Sequence, residues 1–482
     1  MGMKSKIGRA EVHTGSLIGG KWLTSDSSFS VVDKFSGHVL ADVARCSREQ
    51  VTSAVELAAA AVSRGGPSPS ERSKILRRTG ELMEKQRDAY IDVFIAETGF
   101  THADALNEVE RSLRTIEIAS EEAKRITGEM VPFGATPGQE NRIGFTMRFP
   151  LGVICAITPF NSPLNTVLHK VAPAFAAGNS VVLKPSAYTP LTSALLCATM
   201  LEAGVPPDCL ALVQGNGGNV GNWLLEEQKI AFYAFTGSTH VGKLIQSKAG
   251  LRRTQLELGS IASTIVCADA DFDKAIPKIA NAGFRKAGQV CTSVQMLFVE
   301  ESAVDEVTAR LCREIDKMPV GDPRNPETRI GPMIDGSQAE RAEGWIREAC
   351  SAGAKLLYGG TRNGSILNPT LLGSVTQGMK VVDTEVFCPL ISVRPFADLD
   401  EAVAGANATP YGLAAGIFTS DITRALNAAK KMRFGGVHIN EASSARADAM
   451  PFGGVKDSGY GWEGPKYAIR EMTEERLITI SL

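Results

Sequence analysis

The chain is poor in the residues that most often hold metals. It has six histidines among 482 residues, and no His-x-x-His, His-Glu-x-x-His or Cys-x-x-Cys spacing occurs, so a metal site is not suggested. Charge of one sign is also missing: 51 lysines and arginines face 53 aspartates and glutamates, a net charge of −2. That balance excludes the strong field that favours nucleic acid or an acidic partner. No apolar run reaches the roughly 18 residues of a membrane span; Leu151 to Ile157 is apolar but ends at Thr158-Pro159. The stretch Met1 to Arg9 carries Lys4, Lys6 and Arg9 without an apolar segment, which does not read as a secretory signal. Nine cysteines, scattered and odd in number, argue against a disulfide framework and for a reducing compartment. A soluble cytoplasmic enzyme is the expectation, and the length implies roughly two or three domains.

What is present alternates. Leu17 to Leu23 and Ser28 to Val32 read as short strands, with Gly19-Gly20 as a turn. Ser47, with Gln50 three residues on, reads as a helix start for Val51 to Ser63. A second start at Ser70 opens one amphipathic segment to Glu97, striped by Ile75, Leu76, Leu82, Met83, Tyr90 and Phe94 and stopped by Gly99. The next helix spans about Ala103 to Ile126. Its Glu108, Glu110, Arg111 and Arg114 read as a solvated or interdomain face. Met130 to Phe149 is an extended, glycine- and proline-bearing excursion. From Gly152 the texture is strand and helix in alternation, with strands at Val153 to Thr158, Ser180 to Leu183, Leu210 to Gln214 and Ile230 to Phe235. That pattern implies a parallel sheet with ligands near strand C-terminal ends. A second alternating block begins near Thr254. The terminal Ile478 to Leu482 wants a sheet edge, in this subunit or another.

The chemistry concentrates in a few stretches. Cys291 follows Gly288 and Gln289 just before the alternating Val294, Met296 and Phe298. A catalytic cysteine needs an accessible thiolate and donors for the substrate oxygen. The Cys291 N–H and the Asn161 amide, just past a strand, are candidates for that pair. Glu257, at a strand junction, is a candidate general base if burial raises its pKa. Gly237-Ser238-Thr239 after a strand offers a pyrophosphate cradle at a helix start. Lys184, at a strand end, is within reach of a ribose or phosphate, and Glu385 can hold ribose hydroxyls. These residues describe a thiol-based oxidoreductase or an acyl-transfer enzyme.

Seven pieces then occur in a recognisable order: Thr158-Pro159-Phe160-Asn161, Lys184-Pro185-Ser186, Phe235-Thr236-Gly237-Ser238-Thr239, Glu257-Leu258-Gly259, Gly288-Gln289-Val290-Cys291, Glu385-Val386-Phe387 and Pro451-Phe452-Gly453-Gly454. On them the chain resembles the aldehyde dehydrogenase superfamily over essentially its whole length. The resemblance implies an α/β fold with a Rossmann-type cofactor domain (1–122 and 145–253), an α/β catalytic domain (254–440) and a small β bridging element (123–144 and 465–482) used in a homodimer or homotetramer. It implies oxidation of a small-molecule aldehyde by NAD or NADP: Cys291 attacks the carbonyl, Asn161 and the Cys291 N–H hold the oxyanion, and Glu257 activates the water that releases the acid. Thr158, Pro159, Phe160, Lys184, Ser186, Gly217, Gly237, Ser238, Leu258, Glu385 and Phe387 are the implied cofactor residues. His169, Val290, Thr292, Arg446 and Phe452 are the implied substrate pocket.

Three departures from the family pattern matter. The glutamate that often grips the adenosine ribose in NAD-preferring members is replaced by Ala187, followed by Tyr188. This removes a barrier to a 2′-phosphate, which Ser186 and Lys184 would bind, so NADP or dual use is expected. Ser260 replaces a glycine, with local strain if the position needs glycine's conformations. Cys388 replaces a glycine before Pro389, most simply as inert packing. Where members that bind acidic aldehydes often carry arginine, this chain has Val290 and His169, which speaks against a dedicated phosphorylated substrate, although Arg446 is placed to meet an anion. A hydroxyaldehyde of the lactaldehyde kind, a semialdehyde and an aromatic aldehyde stay open, the last slightly disfavoured by 6% aromatic residues. A non-catalytic structural protein of this fold is the rival class, against which the intact Cys291, Glu257 and Asn161 speak.

Overall fold

The computed structural model describes residues 4–482; Met1 to Met3, part of the N-terminal stretch considered above, lie outside the described residues. Two sheets organise it. The first runs in the order Gly459–Tyr460, Arg253–Glu257, Ile230–Thr236, Val153–Ile157, Ser180–Lys184, Leu210–Leu212, Ser16–Ile18, Lys21–Leu23. Its five central strands are parallel and its outer strands antiparallel. The central strands read as continuous apolar runs because both faces are covered. Ile154 and Ala156 point into the core shared with the long N-terminal helices, while Val153 and Cys155 point into the opposite layer, the period-two alternation of a strand.

The second sheet runs Lys355–Tyr358, Thr370–Gly373, Leu390–Phe396, Val294–Glu300, Ala262–Val266, Ala414–Phe418, Gly436–Ile439, parallel except at the Lys355–Tyr358 edge. A third, antiparallel sheet joins Met130–Val131, Arg142–Pro150 and Thr473–Ser481. The terminal strand therefore finds its edge within its own chain, in register from Thr473 opposite Pro150 to Ser481 opposite Arg142. The expected boundary at residue 144 falls inside the Arg142–Pro150 strand.

Helix α1 (Arg48–Arg64) starts at Ser47 with a reciprocal Ser47–Gln50 capping box. The next start is Ser68, not Ser70: Ser68 and Glu71 form the box, with Pro69 at the first helical position, where its missing N–H costs nothing. The single segment expected to Glu97 is two helices, α2 (Pro69–Lys85) and α3 (Arg87–Thr98), separated at Gln86. The reason is burial. From Tyr90 to Thr98 nearly every side chain of α3 is covered, so the one-faced stripe of α2 cannot continue along a straight axis.

Helix α4 (His102–Glu122) corrects a second expectation. Arg114 is exposed, but Glu108 is 1% exposed and Arg111 is half-buried. Glu108, Arg111 and Thr115 recur on one helix face, and that face lies against α5 (Asn165–Ala176). Ser260 has no positive φ, so the serine imposes none of the backbone strain anticipated for it. None of the described helices is long and apolar enough to cross a membrane.

Gly435 opens the strand Gly436–Ile439 against the backbone that carries Phe452. A Cβ there would overlap the Gly453 carbonyl oxygen, and backbone cannot give way as a side-chain tip can. Gly435→Ala is expected to destabilise the protein by about 1–3 kcal/mol, measured as a lowered urea midpoint with unchanged slope.

Candidate active site

The first sheet reverses its winding at Val153–Ile157. The chain moves outward through Ser180–Lys184 and Leu210–Leu212, then returns to the other side with Ile230–Thr236 and Arg253–Glu257. A ligand crevice opens beyond the strand C-terminal ends at such a switch point. That geometry gathers Thr158 to Asn161, Lys184, Gly237-Ser238 and Glu257, each at or just past a strand end. Across from them, Cys291 arrives on the loop before Val294–Glu300. All the expected site residues except His169 line one cavity of about 830 Å³.

His169 lies one turn of α5 beyond the cavity-lining Asn165. It is buried, with Nε2 3.1 Å from Asp448 Oδ1 and 3.4 Å from Thr115 Oγ1, and burial lowers its pKa. It is corrected from a substrate contact to a buttress of Asp448. Asp448 also accepts from Arg111 at 2.6 and 3.2 Å and from Asn165 Nδ2 at 3.0 Å. Burial alone would raise its carboxyl, but the bonds from His169 and Arg111 carry it far below the ordinary range.

The Cys291 loop is set by an abrupt helix stop. Phe272–Phe284 ends, and Lys286, Ala287 and Gly288 follow at φ 52, 51 and 67°. Two of the three are not glycine, and such conformations cost about 1–3 kcal/mol each. At Gly288 no other residue fits, because a Cβ would overlap the Cys388 carbonyl. Gln289 braces the turn: its Nε2 donates to the Lys286 carbonyl at 3.2 Å, and its Oε1 accepts from Ile334 N–H at 2.9 Å. Asn161 Nδ2 donates to the Gln289 carbonyl at 2.8 Å, which ties the expected oxyanion donor to the nucleophile loop.

The electrostatics separate two carboxyls. Glu257 is 2% exposed, and neither side-chain oxygen has a hydrogen-bond partner among the described residues. Burial, then the nearby Glu463, push it well above the usual carboxylate range. Glu463 is equally buried but accepts from Lys170 Nζ at 2.7 Å and Arg446 at 2.8 Å, which outweigh burial and hold it below its ordinary value. One carboxyl is pushed up and the other held down, the divergence of paired carboxyls that marks an acid–base site. Cys291 is half-buried; burial, then Glu257, push its thiol up to about 12.

The other end of the cavity suits a dinucleotide. The helix Thr239–Ala249 starts there, capped by Ser238 Oγ accepting from Val241 N–H, and its first-turn N–H groups favour an anion. Lys184 is 5% exposed and donates to the Pro185 carbonyl at 3.0 Å, leaving donor capacity; burial lowers its pKa to about 8. Thr158 Oγ1 is buried without a partner among the described residues. Glu385 is pushed up to about 7 by burial, and its Oε1 accepts from Ser260 N–H at 2.9 Å. Phe387, itself at φ 49°, meets the Phe160 ring edge-on at 5.9 Å. Cys388 is buried, its thiol pushed up to about 12.

The sequence reading named Arg446 for the pocket but missed Arg111 and Arg285. Arg111 and Arg285 line the cavity together with Arg446. Arg446 lies 3.8 Å over the Phe452 ring and is neutralised by Glu463; Arg111 is neutralised by Asp448. Arg285 donates to Ser444 Oγ at 2.5 Å and forms no ion pair with a carboxylate among the described residues. Its charge and that of Arg446 both act on Cys291. The available signal was its place at the helix end six residues before Cys291; the positions weighed for an anion contact were Val290, His169 and Arg446.

A thiol held near 12 is almost wholly protonated at neutral pH, and its thiolate fraction rises about tenfold per pH unit until that value is approached. Without cofactor, alkylation of Cys291 by iodoacetamide, followed by peptide mass spectrometry, is expected to accelerate in that way from pH 7 to 9. A plateau within that range would contradict the environment described.

Known proteins give the same outline. The profile of the aldehyde dehydrogenase family matches residues 22–478. A 3-sulfolactaldehyde dehydrogenase from Priestia aryabhattai is 44% identical over 97% of this chain and 98% of that protein. The glyceraldehyde-3-phosphate dehydrogenase GapN of Methanocaldococcus jannaschii, solved with NADP, superposes with a TM-score of 0.91 at 36% identity, covering 95% of this chain and 100% of that one. Aldehyde dehydrogenase 21 of Physcomitrella patens, solved with the reaction product succinate, gives a TM-score of 0.94 at 32% identity over 97% and 98% of the chains. The chain belongs to the aldehyde dehydrogenase family and is an NAD(P)-dependent enzyme that oxidises an aldehyde to its carboxylic acid.

Proposed function

We propose that the substrate is a short aldehyde bearing an anionic group, a sulfonate or a carboxylate, of the 3-sulfolactaldehyde or semialdehyde kind. The observation that carries this reading is Arg285, a cavity-lining guanidinium beside Cys291 with no carboxylate partner among the described residues. A part-buried cation with no direct carboxylate partner gains from one, and a substrate anion would supply it. The 44% identity to a 3-sulfolactaldehyde dehydrogenase and the succinate held by a structural neighbour support the same class.

In this reading Cys291 is the nucleophile and Asn161, with the Cys291 N–H, stabilises the oxyanion of the thiohemiacetal. Glu257 takes the thiol proton and later activates the water that cleaves the thioester. Its raised pKa suits a base that must accept a proton near neutrality. NAD(P), when bound, supplies the hydride acceptor. Thr158, Lys184, Ser186, Ser238 and Glu385 would hold it, and Ala187 with Tyr188 in place of a ribose-gripping carboxylate favours NADP or dual use. Thr292 and Phe452 close the substrate end. A cytoplasmic homodimer or homotetramer completes the proposal, supported by exposed apolar side chains on the third sheet at Ile143, Met147, Leu477 and Ile480.

Initial rates with 3-sulfolactaldehyde, succinate semialdehyde and lactaldehyde, each with NAD and NADP, test it. Arg285→Leu is expected to raise KM for the two anionic aldehydes at least about tenfold, as loss of a charged hydrogen bond implies, and to leave lactaldehyde nearly unchanged. An equal effect on all three would remove Arg285 as the anion contact.

A further inference from the structure

The loop carrying Cys291 and the loop carrying Asn161 come from different sheets, yet one buried ion pair joins them. Lys286, 5% exposed, sends its ammonium to Glu108 Oε2 at 2.9 Å and to the Asn161 carbonyl at 2.9 Å. The other oxygen of Glu108 accepts from Ser162 Oγ at 2.6 Å and from Asn165 N–H at 3.0 Å. One carboxylate thus anchors the nucleophile loop through Lys286 and caps the helix that follows Asn161. The Asn161 amide closes the ring by donating to the Gln289 carbonyl at 2.8 Å. Lys286 adopts φ 52° to make these contacts, and the rings of Phe94 and Phe100 lie 5.6 and 5.4 Å from its ammonium.

We propose that Lys286 and Glu108 are positioning residues for the oxidation: the pair fixes the Asn161 amide relative to the Cys291 thiol, so that the oxyanion donor is in place before the carbonyl is attacked. The proposal rests on the reading of Cys291 as nucleophile and Asn161 as oxyanion donor given above. Neither residue of the pair lends a proton. Their effect is geometric, and displacement of a donor by about 1 Å is enough to cost on the order of a hundredfold in rate.

Removing one partner alone strands a buried charge and endangers the fold, so the decisive variant is Glu108→Gln with Lys286→Met. Glutamine can still accept from Ser162, and methionine fills the space beside Phe94 and Phe100. Two reactions of the full-length enzyme separate positioning from general damage. Release of 4-nitrophenolate from 4-nitrophenyl acetate requires attack on a carbonyl and an oxyanion. Alkylation by iodoacetamide uses the same thiol and forms no oxyanion. The double variant is expected to slow the first by about tenfold to hundredfold, to leave the second within about twofold, and to keep KM for NAD(P). Ester cleavage at the wild-type rate, or an equal fall in both reactions, would overturn the proposal. Asn161→Ala identifies which statement has failed. If it leaves ester cleavage unchanged, the oxyanion reading is wrong; if it slows cleavage while the double variant does not, only the role of the pair is wrong.

Discussion

Ion pairs buried in the seam between the two large sheets are the constraint on which the site depends. Helices α4 and α5, on the first sheet, supply Glu108, Arg111 and Lys170; their partners Lys286, Asp448 and Glu463 come from the Cys291 loop and from the segment after the last strand of the second sheet. Such pairs add little net stability over well-packed apolar groups, but breaking one by removing a single partner costs about 3–5 kcal/mol. Their contribution is to register. Each has one satisfactory geometry, and together they set how the two halves of the cavity face each other.

The same seam sets the protonation pattern. Glu463 raises the nearby Glu257, and the cations Lys170 and Arg446 hold Glu463 itself down. Glu463 takes both cations and is held low, while burial pushes Glu257 and the Cys291 thiol beside it up, which brings base and thiol closer in proton affinity. The resting site carries no exposed nucleophilic charge at the thiol, a sensible state for a cysteine that opens onto an 830 Å³ cavity.

Much of this was legible in the chain. The strand ends could be read because a strand buried on both faces is a continuous apolar run, as in Val153–Ile157 and Ser180–Lys184, and the functional residues sit immediately after such runs. The capping box at Ser47 is likewise a local device, whereas the one at Thr101 went unread and the start at Ser68 was placed two residues late. What escaped reading was partnership across the seam. The helix spacing of Glu108 and Arg111 is equally compatible with a wet face, and only the opposing α5, Lys286 and Asp448 turn it inward. Arg285 escaped for the same reason, since a helix-terminal arginine is ordinarily solvated. His169 was misread because it shares a helix with Asn165, yet one turn separates a residue that faces the cavity from one that faces the core. The split of α2 from α3 at Gln86 was hidden because the apolar residues continue across it and only their burial changes.

The short strand Gly459–Tyr460 gives the architecture a temporal consequence. It pairs with Arg253–Glu257, and Ser458 accepts the Leu258 N–H, so the strand end that carries Glu257 is completed by residues late in the chain. During synthesis the cofactor sheet therefore remains open at that edge, through the emergence of the entire second sheet. A nascent chain can already contain the cysteine, the asparagine and the glutamate without holding them together. The thiol, the amide and the carboxyl are brought into one site only when the molecule is nearly finished.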